Sequence, residues 1–341
     1  MRDLVVVGGG PAGMLTAIQA ALAGLDVVVL EPRGAPVDKA CGEGLMPAAV
    51  AGLGALGVEL DGHRFGGIRY VDGRREAVAP FRTGHGLGVR RTQLSSALHR
   101  RAEALGVEVR RNAADEVHQN ASALEAGGIT ARYLAAADGL HSPIRRQLGL
   151  DRPSRRRPRY GLRAHYGTAP WSDEVEVHWS SAGEAYVTPV GPDLVGVATL
   201  STKRRTYQDH LAAFPSLRER LGDAAPETAV RGAGPLRQRA STRVAGRVLL
   251  VGDAAGYVDA ITGEGIALAL AEGEALVRCV AADRPDAYER AWREITRSYR
   301  LITEGLVLAR GPLHLGRAIV PAAARLPRTF GRLVDVLADP R

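Results

Sequence analysis

The sequence predicts an α/β protein. A Rossmann-like dinucleotide-binding domain is interleaved with a mixed β-sheet domain, and a helical segment follows at the C-terminus. Three observations predict it. A short apolar strand runs into Gly8-Gly9-Gly10-Pro11-Ala12-Gly13 at the start of a helix-forming stretch. Two later apolar strands end in an acid–glycine pair, Asp138-Gly139 and Gly252-Asp253. Between these pairs, residues 160–201 hold four short runs of alternating apolar and polar residues, as half-buried strands do.

The opening unit comes first in the chain. Leu4–Val7 is a fully buried strand by its β-branched content and shortness. Gly8 permits the tight turn, Gly10 lets backbone approach a pyrophosphate, and Gly13 lets the helix pack on the strand. The helix is predicted over Pro11–Ala23, with Gly24 as its stop. A second strand, Val27–Leu30, delivers Glu31, 18 residues after Gly13, where a carboxylate can accept hydrogen bonds from a ribose diol. This unit alone leaves NAD and FAD both open, and the carboxylate disfavours the extra phosphate of NADP at this site. The 22 uncharged residues from Leu4 to Leu25 are broken by Gly8–Pro11, so they read as core rather than as a signal peptide or membrane span. A soluble, cytoplasmic protein is expected.

Further along, residues 65–71 and 74–79 flank Asp72-Gly73 as a hairpin, and a helix is expected over 92–105. A strand ends at Ala137, and Ser142-Pro143 starts another helix. Strands are expected at 160–168, 174–180, 184–190 and 194–201, forming a sheet that roofs the cofactor; Tyr166, His178, Trp179, Tyr186 and Thr188 are its candidate pocket residues by location, with ordinary sheet packing the favoured reading of each alone. A buried strand leads to Gly252-Asp253, and Thr262-Gly263-Glu264-Gly265 opens a further helix. From Tyr288 the chain reads helical, with an apolar series of Leu301, Leu306, Leu308, Leu313, Leu315, Ile319 and Val320 interrupted by Gly305, Gly311, Pro312 and Pro321. Core packing is the favoured reading of that series over a face presented to a membrane.

Composition sets limits. The 341 residues are 45% hydrophobic and 24% charged, an ordinary globular balance. Cys41 and Cys279 are too few for a disulfide framework, and the scattered histidines show no metal-ligand spacing, so no metal is expected. Lys39 and Lys203 are the only lysines, so the net charge of +8 reflects an arginine-rich background. The densest basic run, 152–163, carries no aromatic stacking platform and reads as a solvated connector, not a nucleic-acid surface.

The three motifs, taken with Arg91 at the head of the 92–105 helix, resemble the flavoprotein group that joins the aromatic hydroxylases (p-hydroxybenzoate hydroxylase-like) with the geranylgeranyl reductases. The resemblance implies a glutathione reductase-type FAD domain and a cofactor set of Gly8, Gly10, Pro11, Ala12, Gly13, Glu31, Arg33, Cys41, Gly42, Arg91, Asp138, Gly252, Asp253, Gly263, Gly265 and Ile266. It implies NAD(P)H as reductant. The domain reading assigns 1–60, 85–150 and 240–300 to FAD binding, 61–84 and 151–239 to the substrate sheet, and 301–341 to a helical cap.

Lys39–Gly44 is similar to the Cys-Gly segment of the reductases, which makes Cys41 a candidate catalytic thiol, whereas the Trp and Phe of their Tyr-x-Trp-x-Phe-Pro motif are missing around Tyr186–Pro189. The Trp-x-Trp-x-Ile-Pro motif of the related halogenases is absent. The expected activity is therefore an FAD-dependent oxidoreductase, with monooxygenation of a hydrophobic small molecule by O₂ placed first and double-bond reduction in an isoprenoid or polyketide chain second. Partners beyond the substrate are limited to peripheral membrane contact at most.

Overall fold

In this computed structural model, which describes residues 1–114, 116–311 and 315–338, the apolar opening strand extends over Arg2–Val7 and sits inside an eight-stranded sheet. The spatial order is Val244–Ala245, Val248–Leu250, Ile129–Ala136, Arg2–Val7, Val27–Leu30 and Glu108–Arg110, and the four central pairings are parallel. Strands Leu124–Ala126 and Val117–Gln119 continue antiparallel from Ile129–Ala136. Parallel strands covered on both faces need apolar residues without alternation, and Leu4–Val6, Val28, Val29, Leu134–Ala136 and Val248–Val251 are all fully buried. Helix Pro11–Leu22 packs against helices Arg91–Ala104 and Gly265–Ala281.

The second sheet has seven strands: Arg231–Ala233, Tyr160–Tyr166, Leu194–Ser201, Glu184–Gly191, Glu174–Trp179, Gly67–Val71 and Glu76–Pro80. All neighbours are antiparallel except Glu174–Trp179 with Gly67–Val71. The hairpin after Val71 closes with the Asp72 amide donating to the Arg75 carbonyl, so Gly73-Arg74, not Asp72-Gly73, occupies its tip. Alternation gives this sheet two different faces. Ala164, Tyr166, Ala185, Val187, Val195 and Val197 pack on helices Tyr207–Leu211 and Pro215–Leu221. Their neighbours Arg163, His165, Tyr186 and Thr188 face the first sheet's loops instead.

Helix Ala287–Arg310 is continuous through residues 300 and 301. Helices Ile319–Arg325 and Pro327–Ala338 follow, and Val320, Ala323, Phe330 and Val334 pack on Tyr70, Ala77, Ala79 and Trp179. The Tyr70 ring centre lies 4.5 Å from that of Phe330 and 5.2 Å from that of Trp179. Within the C-terminal apolar series, Val320 is therefore core while Leu301 is 66% exposed. Pro312 and Leu313, and the side chain of Leu315, lie outside the described residues. Among the described residues no helix is long and apolar enough to cross a membrane.

Candidate functional site

The glycine turn after Arg2–Val7 is built by close contacts. Gly8 adopts φ +109°, and a Cβ there would overlap the Ala137 carbonyl. A Cβ at Gly13 would overlap the carbonyl oxygen of Gly8, so these two glycines serve packing. Gly10 differs: its Cβ position faces open space, with Arg91 Nη2 at 4.0 Å as the nearest atom. No side chain caps the helix that starts at Pro11, which leaves first-turn amides free toward the same space. Glu31 is buried and accepts from the Gly9 amide at 2.8 Å, the Arg33 amide at 3.0 Å and the Arg33 guanidinium at 2.7 and 2.9 Å. Burial would raise this carboxyl, but the hydrogen bonds from Arg33 and Gly9 hold it below its usual range.

The two later acid–glycine motifs arrive at this turn. The Cβ position of Gly252 is 2.6 Å from that of Ala12, so only glycine brings the third motif against the first helix. The Gly252 amide donates to Glu272 at 2.7 Å. Burial raises the Asp253 carboxyl, against the opposing charges of Lys39, Arg91 and Arg145. Lys39 is pushed down by burial and by Arg33 and Arg91, and its Nζ lies 3.6 Å from the Cβ position of Gly139. Asp138 divides its duties: one oxygen accepts from Ser142 Oγ at 2.7 Å and the Ile144 amide at 3.2 Å, capping the helix Pro143–Gln147. The other, Oδ1, is buried without a partner among the described residues, as is Arg91 Nε. Gly42, Gly263 and Gly265 all have open space at their Cβ positions, and no side chain caps the helix that starts at Gly265. Ile266, beside it, is half-buried.

The donor set therefore consists of two uncapped helix starts, three convergent cations, a buried guanidinium nitrogen and carboxylate oxygen without partners, and a row of glycines. This fits an elongated, pyrophosphate-bearing cofactor such as FAD.

The loop 38–44 links this cradle to the second sheet through residues that pattern reading missed. Glu43 accepts from the Arg91 amide at 2.7 Å and pairs with His165 Nε2 at 2.6 Å, and Arg163 lies 3.6 Å away. Arg163 also holds Asp38 at 2.5 Å, and Thr188 donates to the Gly42 carbonyl at 2.7 Å. Thr228 Oγ1 meets the other His165 nitrogen at 2.9 Å. Glu43 and His165 are 122 residues apart, so no local motif joins them. The one available signal was Arg163 and His165 at i and i+2 on one strand face. Between these anchors sits Cys41, partly exposed, its sulfur accepting from the Glu43 amide at 3.4 Å. Burial and the Glu43 charge push this thiol up, partly opposed by Arg91 and Arg163.

The candidate pocket residues separate by face. Thr188 lies on the Gly42 side, and Tyr186 donates to the Ile261 carbonyl at 3.2 Å. Tyr166 and His178 do not line that side. Tyr166 packs under helix Tyr207–Leu211, and His178 pairs with Glu176 at 2.9 Å on a carboxylate that also meets Arg220 and Trp171. Trp179 belongs to the core beneath the C-terminal helices. Deeper still, Arg159 and Arg310 both reach the fully buried Glu184, and Arg159 lies 3.4 Å from Asp259, whose carboxyl burial raises to about 6.

The family described as FAD binding domain matches residues 1–289. A menaquinone reductase of Mycobacterium tuberculosis is 34% identical over 305 residues, covering 80% of this chain and 74% of the relative. A digeranylgeranylglycerophospholipid reductase of Methanothermobacter thermautotrophicus is 29% identical over 339 residues, covering 86% and 82%. Among solved structures, the flavin-dependent brominase Bmp2 superposes with a TM-score of 0.83 at 20% identity, covering 99% of this chain and 93% of the brominase, which shows a shared fold.

Proposed function

The chain belongs to the FAD-binding domain family of FAD-dependent oxidoreductases, and from that premise we propose that it reduces carbon–carbon double bonds in a hydrophobic, isoprenoid-type substrate, drawing electrons from NAD(P)H in the cytoplasm. The observation that carries this reading is the place of Cys41, a partly exposed thiol on a loop pinned between the glycine cradle and the second sheet. Double-bond reduction needs a proton for carbon as well as a pair of electrons, and a neutral thiol beside the cradle is such a donor. The names of the menaquinone and digeranylgeranylglycerophospholipid reductases support reduction over oxygenation. Monooxygenation, placed first from sequence, has no comparable residue in its favour.

In this reading Gly10 and the first-turn amides at Ala12 and Gly13 would hold the pyrophosphate of FAD, helped by Arg91, with Gly8 and Gly13 keeping turn and helix packed so that they can. Glu31 and Arg33 take the adenosine ribose, and Asp138, Gly252 and Asp253 the pyrophosphate and ribityl region. Cys41, Gly42, Gly263, Gly265 and Ile266 border the ring. Bound FAD supplies two-electron hydride chemistry. With FAD bound, the free amides at the helix start of Gly265 would favour negative charge placed near them. Cys41 would give its proton to the substrate carbon and, being partly exposed, would regain one from solvent.

The test is turnover with NADH or NADPH and a menaquinone or geranylgeranyl lipid, with and without O₂. A product heavier by two hydrogens under anaerobic conditions is expected. A product heavier by one oxygen atom, formed only in air, would establish monooxygenation instead.

A further inference from the structure

Helix Ala287–Arg310 carries Arg293, Arg297 and Arg300 at i, i+4 and i+7, along one side. Facing them, the segment after strand Gln238–Arg239 brings Arg239 and Arg243. These five arginines and Trp292 line a cleft of about 400 Å³, within the usual size of small-molecule sites.

The charge in this cleft is not balanced. Glu289 is shared by Arg243 at 2.5 Å and Arg293 at 2.9 Å. Glu304, on the same helix, is taken by Arg156 at 2.7 Å and by Arg237. Among the described residues, Arg239, Arg297 and Arg300 have no carboxylate in ion-pair range. Arg300 and Arg243 both stack on the Trp292 indole, 5.3 and 4.1 Å from its centre, which brings two like charges together. Burial and the nearby Arg243 and Arg237 charges depress Arg300, partly opposed by Glu304. Such an arrangement is held against repulsion and is relieved by an anion.

The unpaired guanidiniums stand on two walls, Arg239 on one and Arg297 with Arg300 on the other. A single compact anion would satisfy one wall. A ligand with two adjacent anionic centres bridges both, and guanidinium forks match phosphate oxygens bidentately. We propose that this cleft binds a diphosphate group, separate from the glycine cradle, carried either by a free diphosphate or by a dinucleotide. A small cavity of about 20 Å³ shares Trp292, Thr296 and Arg300 with the cleft and reaches Asp253 and Gly256 on its other side. The proposed ligand thus sits behind the cradle and does not compete with FAD for it.

The test uses the FAD-loaded full chain and calorimetric titration with inorganic pyrophosphate, orthophosphate and NADPH at physiological ionic strength. Pyrophosphate is expected to bind more tightly than orthophosphate, and R297Q/R300Q to weaken it roughly 100-fold, as two charge-assisted hydrogen bonds are lost, with flavin content unchanged. Should that variant fail to fold, R297K/R300K keeps the charges and is expected to lose roughly 10-fold with the forks. Competition between NADPH and pyrophosphate identifies the carrier as a dinucleotide, and its absence identifies a free diphosphate. Absent pyrophosphate binding, or binding that either folded variant leaves unchanged, would overturn the proposal.

Discussion

Glu31 does two jobs with one carboxylate: it fastens the glycine turn through the Gly9 amide and gathers Arg33 at the cradle rim. Replacing it with alanine is expected to weaken FAD affinity by about 1–3 kcal/mol, measured by fluorescence titration of the apoprotein. Cys41→Ser is expected to retain FAD but lose roughly 100-fold or more in anaerobic reduction, the ordinary contribution of a positioned acid, in single-turnover assays. Unchanged turnover would remove Cys41 from the chemistry. Glu43→Ala leaves His165 Nε2 without its partner while Arg163 keeps Asp38, and a loss of about 1–3 kcal/mol in urea unfolding is expected. The glycines and Glu31 were legible because the chemistry dictates their spacing along the chain. Glu43, Arg163 and His165 were not, because their contact is made by folding two sheets together.

At the level of elements, the strand and helix assignments held where the pattern was strong. Strands predicted at 160–168, 174–180, 184–190 and 194–201 form at Tyr160–Tyr166, Glu174–Trp179, Glu184–Gly191 and Leu194–Ser201. What the pattern lacked was facing. A strand shows two alternating sets of residues without saying which set meets the cofactor, so Tyr166 and His178 stood among the pocket candidates although ordinary sheet packing, the favoured reading of each, is what they do. Helices Tyr207–Leu211 and Pro215–Leu221 supply the missing fact, since they claim the Tyr166 face. The first helix tests the packing argument most directly. Gly13→Ala drives a methyl group into the Gly8 carbonyl, and a loss exceeding about 4 kcal/mol with failure to retain flavin is expected, read by thermal unfolding and absorbance. Gly265→Ala, whose added carbon meets open space, should instead leave the fold intact and perturb flavin binding alone.

Across the whole molecule, buried acids tie stability to pH. Burial and the nearby Asp253 charge raise Glu272 to about 8, and burial raises Glu264 to about 8. Each folded-state value lies above the ordinary carboxyl value, so the stability these groups lend is complete at low pH and is lost as pH rises toward 8. The melting temperature should fall between about pH 5 and 8, and Glu272→Gln should flatten that slope. The same scale exposes an order of events. The central strand Arg2–Val7 has Ile129–Ala136 as one neighbour, and that strand in turn waits for Val248–Leu250. A nascent chain halted before residue 248 would hold a raw β edge and half a cradle, exposed to proteases and to other unfinished copies. The turn at Gly263–Gly265 comes later still in the chain, so the glycine cradle is complete only once that stretch has left the ribosome.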